Sequence, residues 1–181
     1  MKTVLVPLAD GCEELEAITI TDILTRAGAK VITAGLLGGP VKASRGATLV
    51  PDTLLGDLEE DSFDLIVLPG GLPGADHLAS DPILQQLIKN QDGLSKPVAA
   101  ICAAPRALAA AGILNNRTIT SYPQALADYE GSWTNTGNAI EMDGHIITGR
   151  GPGVALDFSL FLVEQLFGIQ QRDEVESALA R

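Results

Sequence analysis

An α/β sandwich, with helices on both faces of a mostly parallel sheet, is the fold class the sequence predicts. Three observations carry it. Short β-branched apolar runs alternate with longer helical runs, the pattern of strands joined by crossover helices. Glycine-rich or cysteine-bearing loops follow several of those runs directly. The chain, 181 residues at 46% apolar and 19% charged, suits one globular domain over residues 1–181 with a sizeable core.

The elements follow in order. Residues 3–8 read as a buried strand. Residues 13–27 read as a helix ending at Gly28, with Leu15, Ile18, Ile23 and Leu24 forming much of its apolar face. Residues 30–36 are a second strand. Two brief extended runs around Val41 and Leu49 flank Ser44-Arg45-Gly46, a hairpin-like excursion. Residues 64–68 form a third core strand, closed by Pro69-Gly70-Gly71. Asp81 caps a helix that has Pro82 in its first turn and runs to about Gln91. An apolar strand stops at Cys102, and an alanine-rich helix follows at once, ending at Gly112. Residues 117–121 are another strand. Residues 138–142 and 145–148 flank Asp143-Gly144, a dipeptide favoured in tight hairpin turns. A long helix over 154–167 and a short acidic one over 172–179 complete the chain.

Composition excludes several classes of function. A formal charge of −11 disfavours double-stranded nucleic acid, whose phosphates need basic surface. No apolar run reaches the length of a membrane span. The N-terminus enters a strand-like run without a small-residue cleavage site, so no secretory leader is expected. Two cysteines without metal-type spacing suit free thiols in a reducing cytoplasm.

Cys102 is the residue with the clearest chemical potential. Its place on a strand-to-helix turn sets the thiol beside unpaired N–H groups and the positive end of a helix dipole, both of which favour thiolate. The plain alternative is a small hydrophobe in a buried turn. In open α/β sheets, ligands bind at the carboxyl ends of the strands. There the loop from Asp10 to Glu16, the Gly70-Gly71 loop and the Cys102 turn converge if their strands are central and parallel. Glu13 and Glu14 are explained as acids in a first helical turn. Glu16, at the edge of the apolar stripe, is a candidate for a partly buried carboxyl that holds its proton and acts as general acid or base. Gly70 and Gly71 form either an ordinary sharp turn or a loop whose N–H groups face an oxyanion. Their spacing fits no Walker A loop, and Gly149-Arg150-Gly151-Pro152-Gly153 lacks the dinucleotide fingerprint. His145 belongs to an ordinary hairpin, and His77 reads as a surface residue rather than a cysteine partner. Cys12 is a candidate resolving thiol, provided its Cα lies within about 7 Å of that of Cys102.

Glu13-Glu14-Leu15-Glu16, Leu68-Pro69-Gly70-Gly71, Ala99-Ala100-Ile101-Cys102-Ala103-Ala104-Pro105 and Gly149-Arg150-Gly151-Pro152-Gly153 occur in this order along essentially the whole chain. Together they resemble the ThiJ/PfpI superfamily, above all its parkinsonism-linked deglycase branch and the bacterial YajL-type proteins. That resemblance implies a flavodoxin-like three-layer sandwich, usually a homodimer, that needs no cofactor or metal. It implies that Cys102 is an easily oxidised nucleophile hydrogen-bonded by protonated Glu16, with Gly71 and Ala103 N–H groups as the oxyanion pocket. Asp22, Arg26 and Arg45 match residues that family members place near the dimer interface and the cysteine pocket. One departure matters: Tyr122 stands where members often carry histidine, which argues against a peptidase. Tyr122 can still donate a hydrogen bond to a carbonyl substrate, but its pKa near 10 makes it a poor base. The expected activity is a glyoxalase or deglycase reaction on reactive dicarbonyls, free or attached to proteins, in carbonyl and oxidative stress defence. The alternative is a non-catalytic redox sensor or redox-regulated chaperone that records oxidation of Cys102.

Overall fold

The computed structural model describes residues 1–59 and 62–181. In chain order it contains β1 (Thr3–Leu8), α1 (Glu14–Arg26), β2 (Lys30–Gly35), β3 (Val41–Lys42), β4 (Thr48–Leu49), β5 (Thr53–Leu54) and β6 (Leu65–Leu68). There follow α2 (Gly74–Ser80), α3 (Pro82–Gly93), β7 (Val98–Ile101), α4 (Pro105–Ala110), β8 (Thr118–Ile119), β9 (Thr134–Asn135), β10 (Ile140–Asp143), β11 (Ile146–Gly149), α5 (Ala155–Phe167) and α6 (Ile169–Ala178).

Seven strands form the main sheet in the order β10-β11-β7-β6-β1-β2-β5. Its pairs are parallel except β10 with β11, the hairpin turning at Gly144. This is the mostly parallel, flavodoxin-like sandwich expected. Side chains alternate between its faces. Val4, Val6, Val67, Ala99 and Ile101 pack with α1 and α5, while Leu5, Ile66, Leu68, Val98 and Ala100 pack with α3 and α4. The chain steps from β1 outward to β2, then returns to place β6 on the other side of β1. That reversal puts the switch point of the sheet between β1 and β6, at whose carboxyl ends ligands bind in such sheets.

Local chemistry explains the boundaries. The Asp81 carboxylate accepts the Leu84 N–H at 2.8 Å, with Pro82 opening α3 as expected. Asp64 accepts the Thr3 N–H at 2.8 Å and so ties the starts of β1 and β6. Buried Gln91 does the same for β6 and β7, taking the Phe63 N–H and donating to the Phe63 and Pro97 carbonyls.

Four expectations need correction. In α1 the buried stripe runs through Glu16, Ala17, Ile20, Ile23 and Leu24, whereas Leu15 and Ile18 are 50% and 53% exposed. The buried stripe is centred on Ile20, which brings Glu16 inside it rather than leaving it at the edge. The segment after the glycine loop is helix α2, unsignalled because it opens on glycine and spans only seven residues. The helix after Cys102 is a short one that stops at Ala110. Finally, the run at 117–121 contributes only β8, paired with β9 in a separate two-stranded sheet. It misses the main sheet because side chains take its amides: Asp143 Oδ2 accepts Thr118 N–H at 2.8 Å and Thr148 Oγ1 accepts Thr120 N–H at 2.9 Å. Among the described residues, no helix is long and apolar enough to cross a membrane.

Candidate active site

Strand β7 delivers Cys102 into a turn of left-handed conformation, with φ of 64°. Such φ values are uncommon outside glycine and cluster where a fold constrains a functional side chain. Both Cys102 backbone groups are satisfied: its N–H donates to the Gly149 carbonyl at 2.9 Å, and its carbonyl accepts the Tyr122 N–H at 2.8 Å. The turn is therefore held from two sides, and the residue is only 8% exposed.

Glu16 is fully buried against it. Its Oε2 accepts the Gly70 N–H at 2.7 Å, while Oε1 has no hydrogen-bond partner among the described residues. A buried carboxyl oxygen without a donor is costly as an anion, but as the site of an acid proton it becomes a donor. Gly70 must be glycine for this approach, because a Cβ there would lie 2.7 Å from Cys102 Cβ and 2.9 Å from Glu16 Oε2. Gly71 follows at φ +89°.

Titration behaviour corrects the sequence expectation for the thiol. Burial, then the facing Glu16 charge, pushes Cys102 up to about 12, opposed by the N–H groups of Gly71 and Ala103. Burial likewise pushes Glu16 up to about 7, opposed by Gly70 N–H and the Cys102 thiol. The turn does supply N–H donors, as its sequence implied, but the helix behind it has six residues and the turn is buried. Desolvation therefore outweighs the dipole. The two groups titrate as a pair: the first proton leaves near pH 7 and the second only far above it.

The remaining candidates fall into place around this pair. The Gly71 and Ala103 N–H groups do face the sulfur. The Tyr122 side chain is half exposed and lies along Gly151 instead. Asp22 and Arg26 pair with each other on the exposed side of α1 at 2.8 Å. Arg45 lies 3.7 Å from Glu13, with its N–H on the Glu14 carboxylate. Glu13 and Glu14 thus do more than favour a helix dipole: they pin the β3–β4 hairpin through Ser44, Arg45 and Ala47. His77 Nδ1 lies 3.0 Å from the Asp10 carbonyl oxygen, and His145 Nε2 lies 2.7 Å from Asp92. Both histidines are thereby engaged away from Cys102. Cys12 and Cys102 are both free, and burial pushes Cys12 up to about 11. Gly149 joins the site through its carbonyl, a role that its motif does not signal. The motif shows only a glycine ending a strand, where a Cβ would lie 2.8 Å from the Phe158 ring.

A model of the DJ-1/PfpI family matches residues 2–165. The Arabidopsis thaliana protein "Protein DJ-1 homolog A" is 43% identical over 183 residues, covering 98% of this chain. The chain spans 46% of that relative's length. "Glutathione-independent glyoxalase DJR-1.2" of Caenorhabditis elegans is 37% identical over 172 residues, covering 95% of this chain and 91% of that protein. Among solved structures, Drosophila melanogaster DJ-1beta superposes with a TM-score of 0.92 at 41% identity, covering 99% of this chain and 97% of that one.

Proposed function

This chain belongs to the DJ-1/PfpI family, and from that premise we propose that it is a cofactor-independent glyoxalase, with deglycase activity on protein-bound dicarbonyls. The observation that carries the proposal is the buried Glu16 carboxyl, one oxygen held by Gly70 and the other unpartnered, set against the Cys102 thiol. A relative named as a glutathione-independent glyoxalase supports the reaction class.

Between about pH 7 and 12 the Cys102–Glu16 pair keeps one proton. Placing it on Glu16 Oε1 leaves a thiolate facing the Gly71 and Ala103 N–H groups, and the acid proton fills the unmet hydrogen bond of the carboxyl. The thiolate adds to the aldehyde carbon of methylglyoxal, forming a C–S bond, and the proton of Glu16 passes to the resulting alkoxide. Glu16, now a carboxylate, takes the hydrogen from that carbon as a proton and returns it to the neighbouring ketone carbon. The hemithioacetal becomes a thioester with no outside oxidant. Water cleaves the thioester to lactate, and one proton returns to the pair. The Gly71 and Ala103 amides stabilise the oxyanions of addition and hydrolysis. Both histidines are engaged with other groups, and among the described residues none is hydrogen-bonded to Cys102, which disfavours peptidase chemistry.

The test is lactate formation from methylglyoxal without glutathione. Wild type is expected to form lactate, and Cys102→Ser to lose at least about a thousandfold in kcat/KM. Equal rates in the two proteins, or no lactate from either, would overturn the proposal. The unpartnered Oε1 also favours a second reading, in which it and the two amides hold a Cys102 sulfinate. Intact mass after mild peroxide is then expected to show two added oxygens, mapped to Cys102. An unmodified Cys102 removes that reading.

A further inference from the structure

We infer that Arg150 and Tyr122 form an anion-recognition subsite beside Cys102, which selects carbonyl compounds carrying a carboxylate. Seven arginines occur in the chain. Six of them (Arg26, Arg45, Arg106, Arg117, Arg172 and Arg181) lie within 4.0 Å of a carboxylate. Arg150 is exposed and has no such partner among the described residues. In a chain of formal charge −11, where acids outnumber bases 23 to 12, a guanidinium with no carboxylate partner among the described residues is the exception.

Its position gives that exception a meaning. Arg150 directly follows Gly149, whose carbonyl holds the Cys102 N–H, and Tyr122 N–H holds the Cys102 carbonyl. The two residues thus leave the cysteine turn from opposite sides. They meet again in the lining of one groove of about 440 Å³, together with Pro123, Pro152 and Val154. Two glycines complete its lining, and no acidic residue contributes to it. The Tyr122 ring lies against Gly151, where a Cβ would stand 3.3 Å from Cδ2. A planar guanidinium and a phenol O–H on one apolar groove are donors matched to a carboxylate. The substrate class is a small carbonyl compound with its reactive carbon at Cys102 and its carboxylate at Arg150.

Calling the bound compound a substrate rests on the proposed reaction, but the subsite is testable without turnover. The probes are iodoacetate and iodoacetamide, nearly equal in size, which bring an anionic and a neutral group to the same thiol. Alkylation rates mapped to Cys102 by mass spectrometry are compared at one pH in wild type, Arg150→Gln and Tyr122→Phe. Arg150→Gln is expected to slow iodoacetate about fivefold relative to iodoacetamide. Tyr122→Phe should shift the ratio the same way by about twofold. An unchanged ratio in Arg150→Gln, or equal slowing with both reagents, overturns the subsite. Absence of lactate in the methylglyoxal assay removes the reaction and leaves this ratio to decide the subsite alone.

Discussion

Gly71→Ala is expected to destabilise the fold by about 3 kcal/mol or more, one of the largest effects of any single methyl group in this chain. The added Cβ would lie 2.3 Å from the Glu13 nitrogen, 2.6 Å from the Gly11 carbonyl oxygen and 2.7 Å from the Cys12 carbonyl carbon. All three are backbone atoms, so no side chain can swing aside. The φ of +89° adds strain that an L side chain resists. Relief can come only by parting the glycine loop from the start of α1, which pulls the Gly70 N–H away from Glu16. Urea unfolding measures the loss. Gly93→Ala, at a position with open space around it, is the control and should lie within about 1 kcal/mol of wild type. Similar midpoints for the two variants would contradict the tight apposition of these loops.

Glu16→Gln is expected to become steadily more stable than wild type as pH rises. The Glu16 carboxyl titrates at 4.5 when unperturbed and near 7 in the folded chain. A raised acid pKa means that the folded state holds the proton longer. Its stabilising effect is complete below 4.5 and lost as pH climbs through about 7. The loss across that interval is about 3 kcal/mol. Glutamine does not titrate and escapes it. Urea midpoints should therefore show near parity at pH 4.5 and a gap of about 3 kcal/mol by pH 8, level above pH 7. A pH-independent gap would mean that Glu16 ionises as an ordinary surface carboxylate.

Much of this architecture is legible in local chemistry. The strands β1, β6 and β7, the Asp81 cap and the Asp143-Gly144 hairpin each follow from residues adjacent in sequence, and each is observed. What stayed hidden depends on distant partners. The phase of α1 is decided by packing against the sheet and α5, which buries Glu16 and leaves Leu15 and Ile18 outside. The location of β8 is decided by Asp143 and Thr148, about 25 residues further along. The direction of the Cys102 shift inverted for the same reason. N–H donors in a turn are visible in sequence, whereas the desolvation that outweighs them belongs to the folded site. Glu16 was legible as a candidate, but its unpartnered oxygen was not.

The central claim is that Cys102 and Glu16 share one proton around neutral pH, with a reactive fraction carrying it on Glu16. The direct measurement is the rate of Cys102 alkylation by iodoacetamide from pH 5 to 11, in wild type and Glu16→Gln. A shared proton gives a wild-type rate that rises through about pH 7 and then stays level, because one proton is retained until about 12. Glu16→Gln should move that rise to higher pH, since the thiol then gives up its proton without the carboxyl as alternative donor. A wild-type rate that stays flat through pH 7 and climbs only toward the top of the range, or the same midpoint near 8.5 in both proteins, would contradict the shared proton.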